Sequence, residues 1–205
     1  MTTLLRIDAS ARTEGSHSRD LGHAFEAAWR ANHPGGTVVC RDLASQPLPL
    51  IDAPTIAGFY TPPAAMTDDL RAATALSDSL IAELQFADEV LITTQMYNFG
   101  IPGALKAWVD QIVRINVTFG YDGTNFTGLV TGKRVTVAIA YGASGFEPGG
   151  AMATLDFARP YLETLLSFLG LTDVRFMSVE GTAGDADTLA AALDEARQSM
   201  TALAA

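Results

Sequence analysis

The first segment suited to bind a ligand is a run of small and polar residues near the amino terminus. Hydroxyl groups stand at Ser10, Ser16 and Ser18, and His17 lies directly before a stretch with helical periodicity. Free backbone N–H groups and the positive end of a helix dipole favour a phosphate at such a place. The run has no Gly-x-Gly-x-x-Gly pattern, so a single terminal phosphate fits better than a dinucleotide pyrophosphate. The alternative is that the serines are ordinary helix caps.

The second segment, residues 95–100, combines a thioether, two aromatic rings and an amide with a tight turn. Met96, Tyr97 and Phe99 are suited to form apolar walls for a flat heteroaromatic ring. Asn98 and the N–H groups of the loop are suited to hydrogen-bond with the edge of that ring. For Met96 and Phe99, filling the gap between a helix and a sheet is an equally good explanation.

A third loop, residues 141–150, contains four glycines, which allow a backbone to approach a ligand closely. The three histidines of the chain have no metal-ligand spacing, and no Ser-His-Asp arrangement is recognisable. The sequence therefore favours a site for an organic ligand over a metal centre or a hydrolase triad.

Composition and charge argue against several classes of partner. The formal net charge is −10 without a compensating basic segment, which disfavours nucleic acid and anionic membranes. No apolar run approaches transmembrane length and no signal-peptide pattern is present, so we expect a soluble cytoplasmic protein with no membrane partner. The single cysteine, Cys40, lies in an apolar run, and we predict that it is a buried strand residue and not a catalytic thiol.

Apolar and β-branched runs predict five strands, and apolar residues at helical spacing predict five helices between and after them. The predicted strands are residues 4–8, 37–43, 89–94, 134–141 and 174–179. The predicted helices begin after Ser16 or Ser18, at Thr67, after Pro102, near Met152 and at Asp185. Residues 44–66, with five prolines, are interpreted as a long connection, and residues 117–131 as an irregular segment.

This alternation predicts an α/β fold in a single domain of residues 1–205. A parallel sheet of five strands, doubly wound with helices on both faces, most commonly has the strand order 2-1-3-4-5. Its ligand crevice then lies between strands 1 and 3. The serine-containing segment and the segment from residue 95 to 100 follow these two strands, so both are expected to border the crevice.

A set of longer motifs points to a known family. The most specific are Met96-Tyr97-Asn98-Phe99, Ile101-Pro102, Leu105-Lys106, Val117-Thr118-Phe119 and Gly128-Leu129-Val130-Thr131-Gly132-Lys133. In these motifs the chain resembles the bacterial FMN-dependent NADH:quinone oxidoreductases, also called azoreductases. The resemblance extends over nearly the whole chain, with Arg41-Asp42-Leu43 and Pro160-Tyr161-Leu162 in the order that the family has them.

The resemblance implies a flavodoxin-like fold, noncovalently bound FMN and a homodimer. It implies an enzyme in which NADH or NADPH reduces the flavin and a quinone or an aromatic azo compound reoxidises it, in a ping-pong cycle. The flavin carries this chemistry, so no side-chain nucleophile is required. The alternative is a flavodoxin-type electron carrier or an FMN-binding module without NAD(P)H turnover.

The resemblance also carries binding residues over to this chain. Ser10, Ser16, His17 and Ser18 match the family's phosphate loop; Met96, Tyr97, Asn98 and Phe99 match the loop against the isoalloxazine ring; Ala140, Tyr141, Gly142 and Ala143 match a third FMN segment. Asn98 is the candidate for a ring-edge contact. The third segment departs from the family's usual Ser-Arg-Gly-Gly, and Gln95 replaces a usual proline. We expect FMN binding to survive, since backbone groups make much of it.

Overall fold

A computed structural model describes residues 2–204 and contains a central parallel sheet, a small hairpin and six α-helices in that part of the chain. The strands are β1 (Thr3–Asp8), β2 (Thr37–Asp42), β3 (Glu89–Gln95), β4 (Phe119–Tyr121), β5 (Phe126–Gly128), β6 (Arg134–Ala140) and β7 (Asp173–Val179). The helices are α1 (His17–Asn32), α2 (Ala53–Tyr60), α3 (Asp68–Phe86), α4 (Gly103–Ile112), α5 (Ala158–Leu169) and α6 (Ala186–Leu203).

The central sheet has the order β2-β1-β3-β6-β7, and all its strand pairs are parallel. Counted without the hairpin strands, this is the order 2-1-3-4-5, so the predicted doubly wound fold is confirmed. Every residue of β1 and β3 is buried because these strands have neighbours on both sides and helices on both faces. The carboxyl ends of β1 and β3 therefore lie side by side in the middle of the sheet.

Helices cover the sheet on both faces and divide the core into two parts. On one face, α1 and α6 pack together over Leu4, Leu91 and Ala138. On the other face, α3, α4 and α5 pack over Leu5, Ile92 and other alternate strand residues. Successive side chains of a strand point to opposite faces of the sheet, so alternate residues of one strand contact the same group of helices. Within residues 2–204, no helix is both long enough and apolar enough to cross a lipid bilayer.

The segment from residue 44 to 66 is not a plain connection, contrary to the sequence interpretation. It contains α2, which begins where the Asp52 carboxylate accepts a hydrogen bond from the Thr55 N–H at 2.9 Å. Pro54 lies in the first turn, where a helix tolerates proline because the missing N–H would have no acceptor there. At Gly58 the helix approaches α3 so closely that a Cβ would lie 2.4 Å from Thr74 Cγ2.

Residues 117–131 are likewise more ordered than predicted, since they form the antiparallel hairpin β4–β5. Phe119 and Phe126 of this hairpin pack against Phe168 of α5, with ring centroids 4.8 and 5.4 Å apart. The predicted helix near Met152 also begins later, at Ala158. A short 3₁₀ turn comes first, and the Asp156 carboxylate then accepts the N–H of Ala158 at 2.8 Å.

The prediction that Cys40 is buried is wrong. Cys40 lies on β2, which is an edge strand paired only with β1, and its side chain is exposed. An apolar run does not distinguish an edge strand from a central one, since the difference depends on which strands pair in the folded sheet.

Candidate functional site

A cleft of about 290 Å³ opens at the carboxyl ends of the strands, where β1 and β3 diverge into their loops. It is lined by Ser10, Arg12, Gly15, Ser16, His17, Ser18, Gln95, Met96, Tyr97, Ala140, Gly142, Thr182 and Ala183. These residues follow β1, β3, β6 and β7, or end these strands. In doubly wound sheets ligands bind at the switch point of the strand order, and this cleft lies at that point.

The loop of residues 10–18, called the serine loop below, brings hydroxyl groups and the start of α1 to one end of the cleft. Ser16 is the N-cap residue of α1 by its backbone, but its side chain makes no capping hydrogen bond. Its hydroxyl lies instead 3.4 Å from that of Ser18. The first N–H groups of a helix have no acceptor within the helix. A cluster of hydroxyl and N–H groups at a positive helix end suits an oxyanion such as a phosphate, and it argues against the serines being caps only.

A partly buried ion pair holds this loop against the sheet. Arg19 donates two hydrogen bonds to the Asp42 carboxylate at 2.9 and 2.6 Å, and a further one to the Ser10 carbonyl at 2.9 Å. Its guanidinium also lies 3.5 Å from the carboxylate of Asp8. Only 8% of Arg19 is exposed, so these contacts form away from most solvent screening. The single side chain thus connects α1 with the ends of β1 and β2.

A second buried arginine continues this network beneath the cleft. Arg6 pairs with Asp8 at 3.0 Å, and the Thr93 hydroxyl donates to the same carboxylate at 2.7 Å. Helix α1 packs closely against Arg6 and Thr93 because residue 22 is a glycine. A Cβ at Gly22 would lie 2.6 Å from Thr93 Cγ2 and 3.1 Å from an Arg6 nitrogen. The serine loop is therefore supported from below by the ion pairs that Arg6 and Arg19 form.

The turn after β3 borders the opposite end of the cleft and has an unusual backbone. Tyr97 and Gly100 exchange two backbone hydrogen bonds, at 2.9 and 3.1 Å. Between them, Asn98 and Phe99 have φ angles of 49° and 69°, in the left-handed region that residues other than glycine seldom adopt. The Phe99 carbonyl accepts the N–H of Phe157 at 2.9 Å, which fixes the turn. Strain of this kind is often kept at functional sites.

The third predicted segment contributes mainly backbone and small side chains. Ala140 and Gly142 line the cleft, whereas the Tyr141 side chain points to the opposite face of the sheet. There its hydroxyl donates to Asp156 at 2.8 Å. Burial and this hydrogen bond to a carboxylate raise the pKa of Tyr141 far above its usual range, so the phenol stays protonated. The Tyr141 side chain holds the start of α5, and the assignment of Tyr141 to cofactor binding remains a prediction.

The glycine-rich loop that follows is clamped rather than free. The Glu180 carboxylate accepts the N–H groups of Gly145, Phe146 and Glu147 at 2.9, 2.6 and 2.8 Å. Three N–H groups around one carboxylate fix the path of the loop. The backbone at Gly142, which lines the cleft, is therefore held in position from the adjacent strand end.

The structure thus brings together most of the predicted binding residues but not all of them. Ser10, Ser16, His17, Ser18, Met96, Tyr97, Ala140 and Gly142 line the cleft. Asn98 and Phe99 lie beside it on the exposed tip of the turn, and Ala143 is exposed beyond its edge. The assignment of all these residues to cofactor binding remains a prediction.

Sequence reasoning missed four residues that line the cleft: Arg12, Gly15, Thr182 and Ala183. Thr182 and Ala183 follow β7 and reach the cleft because their N–H groups bond with the carbonyls of Tyr141 and Gly142, at 3.0 and 2.9 Å. The sequence could have indicated them, because they follow a predicted strand and all strands of a parallel sheet end at the same edge. Arg12 brings a cation to the serine end and lies within the segment that was already singled out.

Comparison with known proteins supports the same family. A family model described as a flavodoxin-like fold matches residues 2–203. A relative from Xanthobacter autotrophicus, named FMN-dependent NADH:quinone oxidoreductase, is 60% identical over 174 residues, which are 85% of this chain and 84% of the relative. A relative of the same name from Nostoc punctiforme is 41% identical over 189 residues, or 92% of each chain.

Among solved structures, an azoreductase from Bacillus anthracis matches with a TM-score of 0.90 and 26% identity, covering 100% of this chain and 99% of that chain. The fold and the cleft together define a flavodoxin-like α/β protein with its ligand site at the switch point. The chain belongs to the flavodoxin-like family that includes these FMN-dependent NADH:quinone oxidoreductases. The resemblance found in the sequence motifs is confirmed.

Replacing Asp42 with asparagine tests the ion pair beneath the serine loop. The hydrogen bonds from Arg19 hold the pKa of the Asp42 carboxyl well below its usual range. A carboxyl group with a lowered folded-state pKa stabilises the fold above its unfolded pKa of about 3.9, and this contribution is lost as the pH falls through the folded pKa. We expect Asp42→Asn to lower the free energy of unfolding by about 2 kcal/mol at pH 7.

The difference between wild type and Asp42→Asn should narrow in urea denaturation at pH 3. Asp173→Asn is the control, because Asp173 pairs with Arg175 at 3.7 Å on the surface and exposed pairs contribute little. A stability loss for Asp42→Asn that is the same at both pH values would contradict the assignment.

A pair of substitutions at Phe99 measures the strain of the turn after β3. Phe99→Gly and Phe99→Ala both remove the ring, but only alanine keeps a Cβ in the left-handed backbone. We expect the glycine variant to be more stable than the alanine variant by about 1 kcal/mol in urea denaturation. Equal stabilities, or a more stable alanine variant, would mean that residue 99 does not keep a positive φ in solution.

Proposed function

We propose that this chain is an FMN-dependent NADH:quinone oxidoreductase that also reduces aromatic azo compounds. The observation that carries the proposal is the 60% identity to a relative of that name over 85% of the chain, combined with a cleft of matching chemistry at the switch point. The same activity explains why no nucleophile or catalytic triad is needed, because the cofactor carries the electrons.

The residues of the cleft suit FMN in three respects. Hydroxyl groups, the start of α1 and Arg12 gather at one end, where a phosphate would be neutralised. Met96 and Tyr97 offer apolar surface at the other end, suited to a flat ring. Between them lies Gln95, whose side-chain amide has no hydrogen-bond partner within residues 2–204 although it is buried. An orphaned amide fits a cleft whose polar partner is a ligand.

Bound FMN supplies the redox chemistry, carrying two electrons and a proton from NADH to the acceptor, so that NADH, a proton and a quinone become NAD⁺ and a hydroquinone. The protein binds and orients the reactants. Ser10, Ser16 and Ser18 hold the phosphate end, together with the N–H groups of α1. The Asn98 amide and the backbone at Gly142 are proposed to hydrogen-bond with the ring edge and to stabilise the negative charge that develops there.

The rival function is an electron carrier or a flavin-binding module that does not react with NADH. The discriminating experiment is an anaerobic absorbance titration of the FMN-loaded protein, first with NADH and then with benzoquinone. We expect NADH to bleach the flavin band and quinone to restore it. NADPH in place of NADH and free FMN without protein serve as controls. A bound flavin that neither nicotinamide bleaches would establish a carrier or sensor instead.

We also propose a homodimer in the cytoplasm, where NADH is available. The support is exposed apolar surface: Phe157 near the cleft is 61% exposed, and Phe126 and Tyr60 elsewhere on the chain are 61% and 71% exposed. Exposed aromatic patches of this kind mark interaction surfaces. Phe157 is directly linked to the turn after β3, since its N–H bonds with the Phe99 carbonyl. A second copy that covers Phe157 would therefore also enclose the ring end of the cleft.

Sedimentation velocity tests the dimer through two matched variants. Phe157→Asp places a charge in the proposed interface, whereas Phe86→Asp changes a similarly exposed phenylalanine at the opposite end of the sheet, the last residue of α3. We expect the wild type and Phe86→Asp to sediment at twice the mass of the chain, and Phe157→Asp to dissociate because burying an unpaired charge is unfavourable. A monomeric wild type, or equal behaviour of both variants, would contradict the proposed interface.

A further inference from the structure

Gln95 is the last residue of β3 and lines the cleft, with only 9% of its surface exposed. Neither the nitrogen nor the oxygen of its side-chain amide has a hydrogen-bond partner in the described part of the chain. Buried polar groups are nearly always paired, and an unpaired one destabilises a protein. An amide without any partner at the wall of a ligand cleft therefore calls for a ligand group as its partner.

The direction of the Gln95 side chain follows from the alternation of β3. Leu91 packs into the core beneath α1, and the Thr93 hydroxyl bonds with Asp8 on the same face. Gln95, two residues further, faces the same side, towards the first turn of α1. On the neighbouring strand Ala140 is opposite in register, and its single methyl group leaves room for a longer side chain.

Gln95 thus lies between the two ends of the cleft. Ser16 and Ser18 are on the side to which it points, and Met96, the next residue, begins the apolar end. A cofactor with a phosphate at the serines and a ring at the turn must pass its connecting arm over Gln95. In FMN this arm is the ribityl chain, which carries hydroxyl groups.

The chemistry of the amide favours hydroxyl groups over the phosphate, and the place of Gln95 between the two ends of the cleft favours the ribityl chain over the ring. An amide has both donors and an acceptor, and a hydroxyl group also needs both. A phosphate at neutral pH only accepts hydrogen bonds, so it would leave the Gln95 oxygen unpaired. We propose that Gln95 is a cofactor-binding residue whose amide hydrogen-bonds with the ribityl hydroxyl groups. This inference rests on the proposed FMN-dependent function and adds a specific contact to it.

A cofactor-binding Gln95 should affect the FMN-free and FMN-bound forms in opposite ways, which a purely structural residue would not do. Without cofactor the unpaired amide destabilises the protein, whereas with cofactor it strengthens binding. Gln95→Met, which keeps the size of the side chain and removes its polar atoms, should therefore have opposite effects on the two forms. We expect the melting temperature of the FMN-free protein to rise by roughly 3 °C, and the affinity for FMN to fall about tenfold.

Fluorescence titrations of the FMN-free protein with three flavins locate the contact. Lumiflavin has only the ring, riboflavin adds the ribityl chain, and FMN adds the phosphate. We expect Gln95→Met to weaken riboflavin and FMN by the same factor and to leave lumiflavin binding unchanged. Gln95→Leu provides a second apolar side chain of similar size. Gln111→Met is the matched control, since Gln111 is also buried with an unpaired side-chain oxygen but lies outside the cleft.

Each other result overturns the proposal in a recognisable way. Unchanged flavin affinities with a lower melting temperature would make Gln95 a structural residue. Weaker lumiflavin binding would assign the amide to the ring, and weaker binding of FMN alone would assign it to the phosphate. If Gln111→Met weakened FMN equally, the effect would not be local to the cleft. A wild-type protein that binds no flavin at all would remove the proposed function itself, which is distinguishable from a failure at Gln95.

Discussion

The site depends above all on the bidentate ion pair between Arg19 and Asp42. It joins the first turn of α1 to the end of the edge strand β2, and its further bond to the Ser10 carbonyl fixes the loop between them. A loop of small polar residues has many conformations and few contacts of its own. The buried guanidinium replaces those missing contacts, so the hydroxyl groups and helix N–H groups are already assembled before a ligand arrives.

The two ends of the cleft are held by different physical means. The serine end rests on charge pairs that are buried between helix and sheet. The ring end is a strained turn at Asn98 and Phe99, kept in place by backbone hydrogen bonds to Gly100 and Phe157. At the edge of the cleft, the Glu180 carboxylate holds the glycine-rich loop through three N–H groups. Rigid support on every side is what orientation of a cofactor requires.

Periodicity was enough to predict the alternating strands and helices of the parallel sheet, because buried strands and amphipathic helices have distinct patterns. The strand order and the position of the crevice were then predicted from the commonest order of doubly wound sheets. Periodicity failed where tertiary contacts decide the structure. The β4–β5 hairpin forms because its aromatic residues pack on Phe168, and α2 forms on the surface of α3 although prolines surround it. The start of α3 after Thr67 was predicted well, but Asp156, whose carboxylate accepts the N–H of Ala158 at the start of α5, was overlooked.

For the candidate site, the sequence indicated which loops border the cleft but not which side chains enter it. The loops after the first and third strands could be found from residue types, since hydroxyl groups, a thioether and aromatic rings indicate ligand chemistry. Which side chains enter the cleft depends on strand parity and on neighbouring strands, so Tyr141 points away and Thr182 points in. The unpaired state of Gln95 is visible only when every possible partner has been placed in space.

The exposed position of Cys40 has a chemical consequence under the proposed quinone-reducing function. Quinones are electrophiles that add to cysteine, and the thiolate is the form that attacks them. Desolvation of the thiolate form, reinforced by the nearby Asp8 carboxylate, raises the pKa of Cys40. A raised pKa leaves a smaller fraction of this one thiol as the reactive thiolate, which lowers the rate of quinone addition at an exposed side chain.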